Sequence, residues 1–250
     1  MKYMPYTIKE PLPKLFGDAI TLVDEPTLII SDTHAPYQNK TLLMAAFNLA
    51  KARNVKQMIH AGDLIDGASY NTQAKNEIVP AIETEIEHAR SILYTAKRFF
   101  ERPVIIPGNH DAYYFKKEKI TFQHFINTVV LDGKYTKSFL TTDYDYVFLG
   151  EFAIIGHLTN GYDMTAGRVA ANLAIKYNRH ALVGHDHLAG ALQAENGKWG
   201  ISIGASFVPG SFAYKARSYN TFPHSQLGFV IIADGKISHF DEQLNERIYE

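Results

Sequence analysis

The fold is decided by the stretch Thr27-Leu28-Ile29-Ile30-Ser31-Asp32-Thr33-His34. Its first four residues carry no charge and predict a short buried strand, and polar residues follow at once. Because ligands of open α/β sheets bind beyond the carboxyl ends of the strands, Asp32 and His34 lie where a site is expected. Side chains at i and i+2 of an extended chain project to the same side, which predicts that these two converge.

A strand-like run ends in a polar cluster at four later places in the chain. These clusters are Gly62-Asp63-Leu64-Ile65-Asp66, Gly108-Asn109-His110-Asp111, Gly156-His157 and Gly184-His185-Asp186-His187. Each cluster alone has a plain structural interpretation, since Asp and Thr cap helices, Gly-Asp forms turns and a lone histidine packs at a strand end. Five such clusters in one chain, all at predicted strand ends, indicate a shared site.

The chemistry of these clusters is that of a metal centre. They offer imidazoles, carboxylates and one amide, a donor set that suits Mn, Fe or Zn better than Ca or Cu(I). They contain more candidate ligands than one ion uses, so two ions are predicted. Two metal ions can clamp both the attacking and the leaving oxygen of a phosphoryl displacement.

The segments between the clusters alternate between helix and strand patterns, which predicts βαβ units around a largely parallel sheet. The predicted helices span 40–53, 80–102 and 165–179, and the further predicted strands span 55–60 and 103–106, with two short strands within 146–155. Asn196-Gly197 and Asp234-Gly235 predict hairpins in a mostly antiparallel C-terminal third.

The strongest helix pattern begins near Pro80. Acidic residues occupy its first turns and basic residues its end, an order that complements the helix dipole. The acidic residues are Glu83, Glu85 and Glu87, and the predicted apolar stripe is Ile82, Ile86, Leu93 and Phe100.

Composition excludes several classes of protein. The chain has 250 residues, a formal net charge of −1 and no cysteine, which argues against a polybasic nucleic-acid coat, a disulfide scaffold and a cysteine nucleophile. No Gly/Ser linker divides it, so we expect one domain over residues 1–250, with a motif-bearing core over 27–190 and an irregular N-terminal extension over 1–26. The sequence contains neither a long apolar segment nor a leader-like start, so we expect a cytoplasmic protein without a membrane partner.

Taken in order, the five motifs resemble those of the calcineurin-like metallophosphoesterase superfamily. The resemblance implies a four-layer α/β/β/α sandwich with mixed sheets and helices outside. It implies that Asp32, His34 and His187 hold one metal, that Asn109, His157 and His185 hold the other, and that Asp63 bridges both. It also implies that a metal-activated hydroxide attacks phosphorus, that His110 protonates the leaving oxygen, and that Asp66 holds the His110 imidazole in place.

Departures from subgroup patterns bear on the substrate. Protein Ser/Thr phosphatases of this superfamily have Arg directly after the second Asp of motif two and Glu at the end of motif three, where this chain has Gly67 and Asp111. The motifs look closer to the phosphodiesterase and double-strand-break repair nuclease branches. We therefore expect a phosphodiesterase acting on nucleotides or nucleic acid with two divalent ions, Mn first and Fe, Zn or Ni as alternatives.

Three other functions stay open. One is a phosphomonoesterase, and another is a catalytically silent interaction module, like the retromer subunit that resembles this superfamily but lacks the catalytic histidine. The third is a structural domain that binds metal ions without hydrolysis. His110 favours the enzyme. The aromatic and basic segments 113–119 and 214–219 are interpreted mainly as solvated surface with partly buried rings, and alternatively as a wall that contacts substrate.

Overall fold

The strands assemble into two sheets. The computed structural model describes residues 19–71, 78–157, 163–211 and 225–250, and the elements below belong to those ranges. The strands are β1 Thr21–Leu22, β2 Thr27–Ile30, β3 Gln57–Ala61, β4 Val104–Ile106, β5 Leu140–Thr141, β6 Tyr146–Leu149, β7 Phe152–Ile155, β8 His180–Val183, β9 Ala189–Gln193, β10 Trp199–Ile203, β11 Gly228–Ala233, β12 Lys236–Asp241 and β13 Glu246–Tyr249. The helices are α1 Lys40–Ala52, α2 Ile82–Phe99, α3 Asn109–Lys117, α4 Phe122–His124 with a π-helical continuation Phe125–Val130, and α5 Arg168–Tyr177.

Both sheets mix parallel and antiparallel pairs. The seven-stranded sheet has the order β13-β12-β11-β2-β3-β4-β5, and the six-stranded sheet has the order β1-β6-β7-β8-β10-β9. Strands β2 to β5 run parallel, as do β7, β8 and β10, whereas β11, β12 and β13 pair antiparallel. The β9–β10 and β11–β12 hairpins turn at the predicted Asn-Gly and Asp-Gly pairs.

The alternation of side chains along β2 explains the layers. Ile29 belongs to the core between the two sheets, which also contains Ile154 and Leu182 of the other sheet, whereas Leu28 and Ile30 belong to the core beneath the outer helices. Because both faces of this strand are covered, its sequence is a continuous apolar run rather than an alternating one.

Helices cover the two outer faces. Helices α1, α2 and α4 pack on the seven-stranded sheet, and α5 packs on the six-stranded sheet through the small residues Ala170, Ala171 and Ala174. The predicted four-layer α/β/β/α sandwich is confirmed. No helix within the described ranges is long and apolar enough to cross a membrane.

Three details differ from the sequence predictions. Helix α2 starts at Ile82 after the cap residue Ala81, so Pro80 lies outside it. Its buried face is Glu85, Ala89, Ile92, Leu93 and Ala96, while Ile82 and Ile86 are only half-buried. The predicted irregular N-terminal extension contains strand β1, which pairs with β6; residues 1–18 lie outside the described ranges.

Candidate metal centre

The five motifs meet at one edge of the sandwich. In each motif, the first predicted ligand lies two or three positions after the end of a strand. These residues are Asp32 after β2, Asp63 after β3, Asn109 after β4, His157 after β7 and His185 after β8. Strands β2, β3 and β4 are parallel neighbours in one sheet, and β7 and β8 are parallel neighbours in the other. The carboxyl ends of both sheets thus supply the site.

Four of the predicted ligands form a buried quartet: Asp32, His34, Asp63 and His187. One donor atom from each lies within 4.8 Å of the others. The His187 Nε2 atom is 3.2 Å from Asp32 Oδ1 and 3.1 Å from His34 Nε2, which in turn is 3.8 Å from Asp63 Oδ2. Two carboxylates and two imidazoles at this spacing can hold a divalent ion.

Asp66 orients the His34 imidazole toward the quartet. The His34 Nδ1–H donates to Asp66 Oδ1 at 3.0 Å, so the lone pair of Nε2 faces Asp32, Asp63 and His187. Burial, reinforced by the charge of His110, lowers the pKa of His34 to about 3. A neutral imidazole whose second nitrogen is held by a carboxylate is the usual state of a metal-ligating histidine.

The quartet passes a direct test of its fit to a metal. Asp63 is buried, and its Oδ2 atom has no hydrogen-bond partner among the described residues. Burial raises the pKa of this carboxyl well above its ordinary value, because an ionised carboxylate out of water needs a compensating charge. A divalent cation held by the quartet would supply that charge.

The other three predicted ligands lie close to one another. The Asn109 Oδ1 and His185 Nδ1 atoms are 2.6 Å apart, and the rings of His157 and His185 lie 5.1 Å apart, edge to face. The His157 Nδ1 atom is buried without a hydrogen-bond partner in the described part of the chain. An amide oxygen and two imidazoles form a second donor group, adjacent to the first.

The backbone brings the ligands together by a route that the sequence argument missed. Asp32, His34, Asp63, His185 and His187 all have positive φ, between 42° and 80°. The extended-chain argument for the convergence of Asp32 and His34 is therefore wrong, because both residues lie in the left-handed region of φ. His185 and His187 contact different donor groups, as the family resemblance implies. Such φ values are costly for residues with a Cβ and cluster at functional sites.

His110 lies beside the quartet. Its ring centroid is 4.5 Å from that of His34, and only 8% of the residue is exposed. Its Nδ1–H donates to the main-chain oxygen of Asp66 at 2.7 Å, which leaves Nε2 as its other polar atom. Burial opposes protonation, but the carboxylates of Asp63 and Asp66 outweigh it and raise the pKa of His110 to about 9.

Comparison with known proteins identifies the family. A family model described as calcineurin-like phosphoesterase matches residues 25–189. The chain belongs to that family. No curated protein matches it.

Several solved structures are similar to this calcineurin-like phosphoesterase. An archaeal phosphodiesterase shares 15% identity with a TM-score of 0.45, and the match covers 90% of this chain and 98% of the other. YfcE, a phosphoesterase from E. coli, shares 12% identity with a TM-score of 0.47, over 90% and 98% of the two chains. Vacuolar protein sorting 29 from Cryptosporidium parvum shares 14% identity with a TM-score of 0.48, over 90% and 95%.

Two further carboxylates build this phosphoesterase site, and sequence reasoning missed one of them, Glu85. Asp111 accepts from the main-chain nitrogens of Ile65 and Gly108, and so joins motif two to motif three. The charge order of the helix predicts that Glu85 complements the helix dipole, yet this residue is fully buried and accepts from the turn that follows motif two. Its spacing from Ala89 and Ala96, four and eleven residues later, marks the buried helix face and could have revealed it.

The predicted aromatic and basic segment after motif three divides between core and surface. Tyr114 and Phe115 pack against the core outside the seven-stranded sheet. Tyr113 is only half-buried and lies beside the site, with its ring 5.2 Å from that of His110. Lys116 and Lys117 are exposed, as the solvated-face interpretation predicts. The similar segment 214–219 lies outside the described residues.

Gly108 permits the close contact between motifs two and three. A Cβ atom at this position would lie 2.1 Å from both the main-chain nitrogen and Oδ1 of Asp63. We expect Gly108→Ala to lower the free energy of unfolding by about 1–3 kcal/mol, the usual effect of overpacking. Because Asp63 must move, binding of Mn²⁺ should also weaken. Urea unfolding and calorimetric titration with Mn²⁺ measure the two effects.

Gly133→Ala is the control for this prediction. A Cβ there meets no atom of the described residues within 4 Å, so we expect it to add only the strain of a left-handed residue, about 1–2 kcal/mol, and to leave Mn²⁺ binding unchanged. Equal Mn²⁺ binding by Gly108→Ala and the wild type would contradict the role given to this contact.

Proposed function

We propose that the chain hydrolyses phosphate esters with two divalent ions, and that phosphodiesters of nucleotides or nucleic acid are its preferred substrates. The observation that carries this proposal is the position of His110. Its imidazole lies against the quartet, yet its Nδ1 is engaged by the Asp66 main chain rather than turned toward the donor groups. That arrangement supports a proton donor next to a metal centre.

The proposed metal ligands follow the two donor groups. Asp32, His34 and His187 hold one ion, Asn109, His157 and His185 hold the other, and Asp63 serves both. The position of the Asp63 carboxylate supports a shared role. Its Oδ2 atom lies 3.8 Å from His34 Nε2 in the first donor group. Its Oδ1 atom accepts from the main-chain N–H of His110, the residue after Asn109 of the second donor group. Such ions supply an activated water at neutral pH and neutralise charge on the phosphoryl oxygens.

His110 and Asp66 are the residues that we assign to protonation of the leaving group. Asp66 holds Nδ1 of His110 through its main-chain oxygen, and its Oδ1 atom lies 3.4 Å from the same nitrogen. The imidazole can then carry a second proton on Nε2, which it gives to the departing oxygen. The nearby carboxylates of Asp63 and Asp66 stabilise that protonated form.

Gly67 supports the preference for diesters. In protein Ser/Thr phosphatases an arginine occupies this position, and it would bind the additional charge of a monoester. Here the residue has φ of 60°, and a Cβ atom would lie 2.7 Å from the His110 main-chain oxygen. The turn therefore disfavours any side chain at this position.

The stoichiometry of bound metal tests the proposed ligands. We expect the protein loaded with Mn²⁺ to bind about two ions per chain. Asp63→Ala should lower the occupancy of both sites, because its carboxylate is shared, whereas Asn109→Ala should weaken mainly one. Elemental analysis after removal of free metal measures this, with the exposed Asp132→Ala as control. Full activity with a single bound ion would contradict the two-metal proposal.

A substrate screen with Mn²⁺ tests the proposed reaction. We expect bis-p-nitrophenyl phosphate to be hydrolysed faster than p-nitrophenyl phosphate, since no arginine is present at position 67 to bind the monoester's additional charge. Cyclic nucleotides and single-stranded DNA extend the comparison to natural diesters. A clear monoester preference would favour a phosphomonoesterase, and no hydrolysis with Mn²⁺, Fe²⁺, Zn²⁺ or Ni²⁺ would favour an interaction module.

The role of His110 is tested by varying the leaving group. We expect His110→Asn to retain both metal ions and to lower kcat by about 10²–10⁴ for esters with poor leaving groups. The loss should be smaller for nitrophenyl esters, because nitrophenolate departs without a proton. Asp66→Asn should give a milder form of the same pattern and should also weaken metal binding, because its side chain orients His34. An equal loss for both ester types would instead assign His110 to stabilising the phosphoryl oxygens.

A further inference from the structure

Glu85 forms a buried contact beneath motif two. This residue of helix α2 is 0% exposed. Its Oε2 atom accepts from the Gly67 main-chain N–H at 2.6 Å, and its Oε1 atom accepts from that of Ala68 at 3.1 Å. A single carboxylate thus fixes the turn that follows Asp66.

Its placement is costly for a charged side chain. Two positions along the same helix, Glu87 is exposed, as expected for a residue that only complements the helix dipole. Burial raises the pKa of Glu85 to about 8, although the N–H groups of Gly67 and Ala68 oppose the shift. A buried acidic residue on an otherwise apolar helix face indicates that its hydrogen bonds to the turn are needed.

The peptide between Asp66 and Gly67 connects Glu85 to His110. The N–H of this peptide donates to Glu85, and its C=O, which belongs to Asp66, accepts from His110 Nδ1 at 2.7 Å. In a planar trans peptide these two groups point in opposite directions. The carboxylate therefore holds one side of a rigid plane whose other side holds the imidazole.

Electrostatics act in the same direction as geometry. Hydrogen bonds in series polarise one another, and the effect is stronger where water is excluded. The hydrogen bond that Glu85 accepts from the Gly67 N–H makes the Asp66 carbonyl of the same peptide a better acceptor for the His110 Nδ1–H. The same carbonyl keeps a proton on Nδ1 of His110, because a carbonyl oxygen can only accept a hydrogen bond.

We propose that Glu85 is a positioning residue for His110 and acts through the Asp66–Gly67 peptide. The inference rests on the proposed function, in which His110 is the proton donor. Within the described part of the chain, the hydrogen bonds of the Glu85 carboxylate go to the turn at Gly67 and Ala68 and not to the donor groups of the metal centre. Its loss should therefore impair proton donation and leave the metal ions bound.

Glu85→Gln tests the inference, with Glu87→Gln as the matched control on the same helix. Glutamine keeps the shape but replaces one acceptor oxygen with an NH₂ group that faces a main-chain N–H. We expect kcat for phenyl or alkyl esters to fall about tenfold and kcat for nitrophenyl esters to fall by less than about threefold. The content of bound Mn²⁺ should match that of the wild type.

A second measurement does not depend on activity. In ¹⁵N-labelled protein, the His110 Nδ1–H proton should give a slowly exchanging, downfield signal, because its hydrogen bond is buried. Glu85→Gln should move this signal upfield and speed its exchange with solvent, whereas Glu87→Gln should leave it unchanged.

The outcomes separate this inference from the proposed function. If His110→Asn shows the leaving-group dependence but Glu85→Gln lowers both rates equally, loses metal, does not fold or has no effect, the role of Glu85 is wrong while the phosphoesterase stands. If the wild type hydrolyses no ester, the proposed function fails, and the Nδ1–H signal still decides whether Glu85 controls the imidazole.

Discussion

Asp32 and Asp63 place two carboxylates at the junction of the sheets, where almost no solvent reaches them. Burial of an ionised carboxylate without compensation is among the largest penalties in folding. Ring nitrogens of His34 and His187 lie 3.2–3.9 Å from these carboxylates, and the main-chain N–H groups of other motifs donate to both carboxylates. The neighbouring imidazoles and main-chain N–H groups reduce the cost of burying these carboxylates. A divalent ion would neutralise the remaining negative charge.

The sheets explain why five separated segments can meet this demand. Parallel neighbours place their carboxyl ends together, so β2, β3 and β4 bring three motifs side by side, and β7 and β8 bring two more from the opposite sheet. The contact must be close, since the His185 main-chain N–H donates to Asp32 at 3.0 Å. Glycines allow the neighbouring segments to approach each other this closely, because a Cβ atom would lie less than 3 Å from an atom of the next segment at Gly62, Gly108, Gly156 and Gly184.

The sequence permits prediction of elements and motifs because both depend on local patterns. A few consecutive residues are enough to predict the buried strand 27–30, the hairpin turns and the polar residues at the strand ends. The positive φ values of Asp32 and His185 are not, because tertiary contacts impose them on residues without a strong preference for that region. Glu85 escaped notice for a related reason: its partners, the N–H groups of the turn at Gly67, carry no side-chain signature.

Asp66 shows how one carboxylate can give two imidazoles different chemistry. His34 is fully buried beside His110, and these surroundings lower its pKa to about 3 and leave it a neutral donor. His110 lies near both Asp63 and Asp66, and these carboxylates outweigh burial and raise its pKa to about 9. Neighbouring groups whose pKa values are pushed apart are suited to different roles. The Asp66 side chain orients His34 and its main-chain oxygen orients His110, so the geometry that favours metal binding by one ring also favours proton donation by the other.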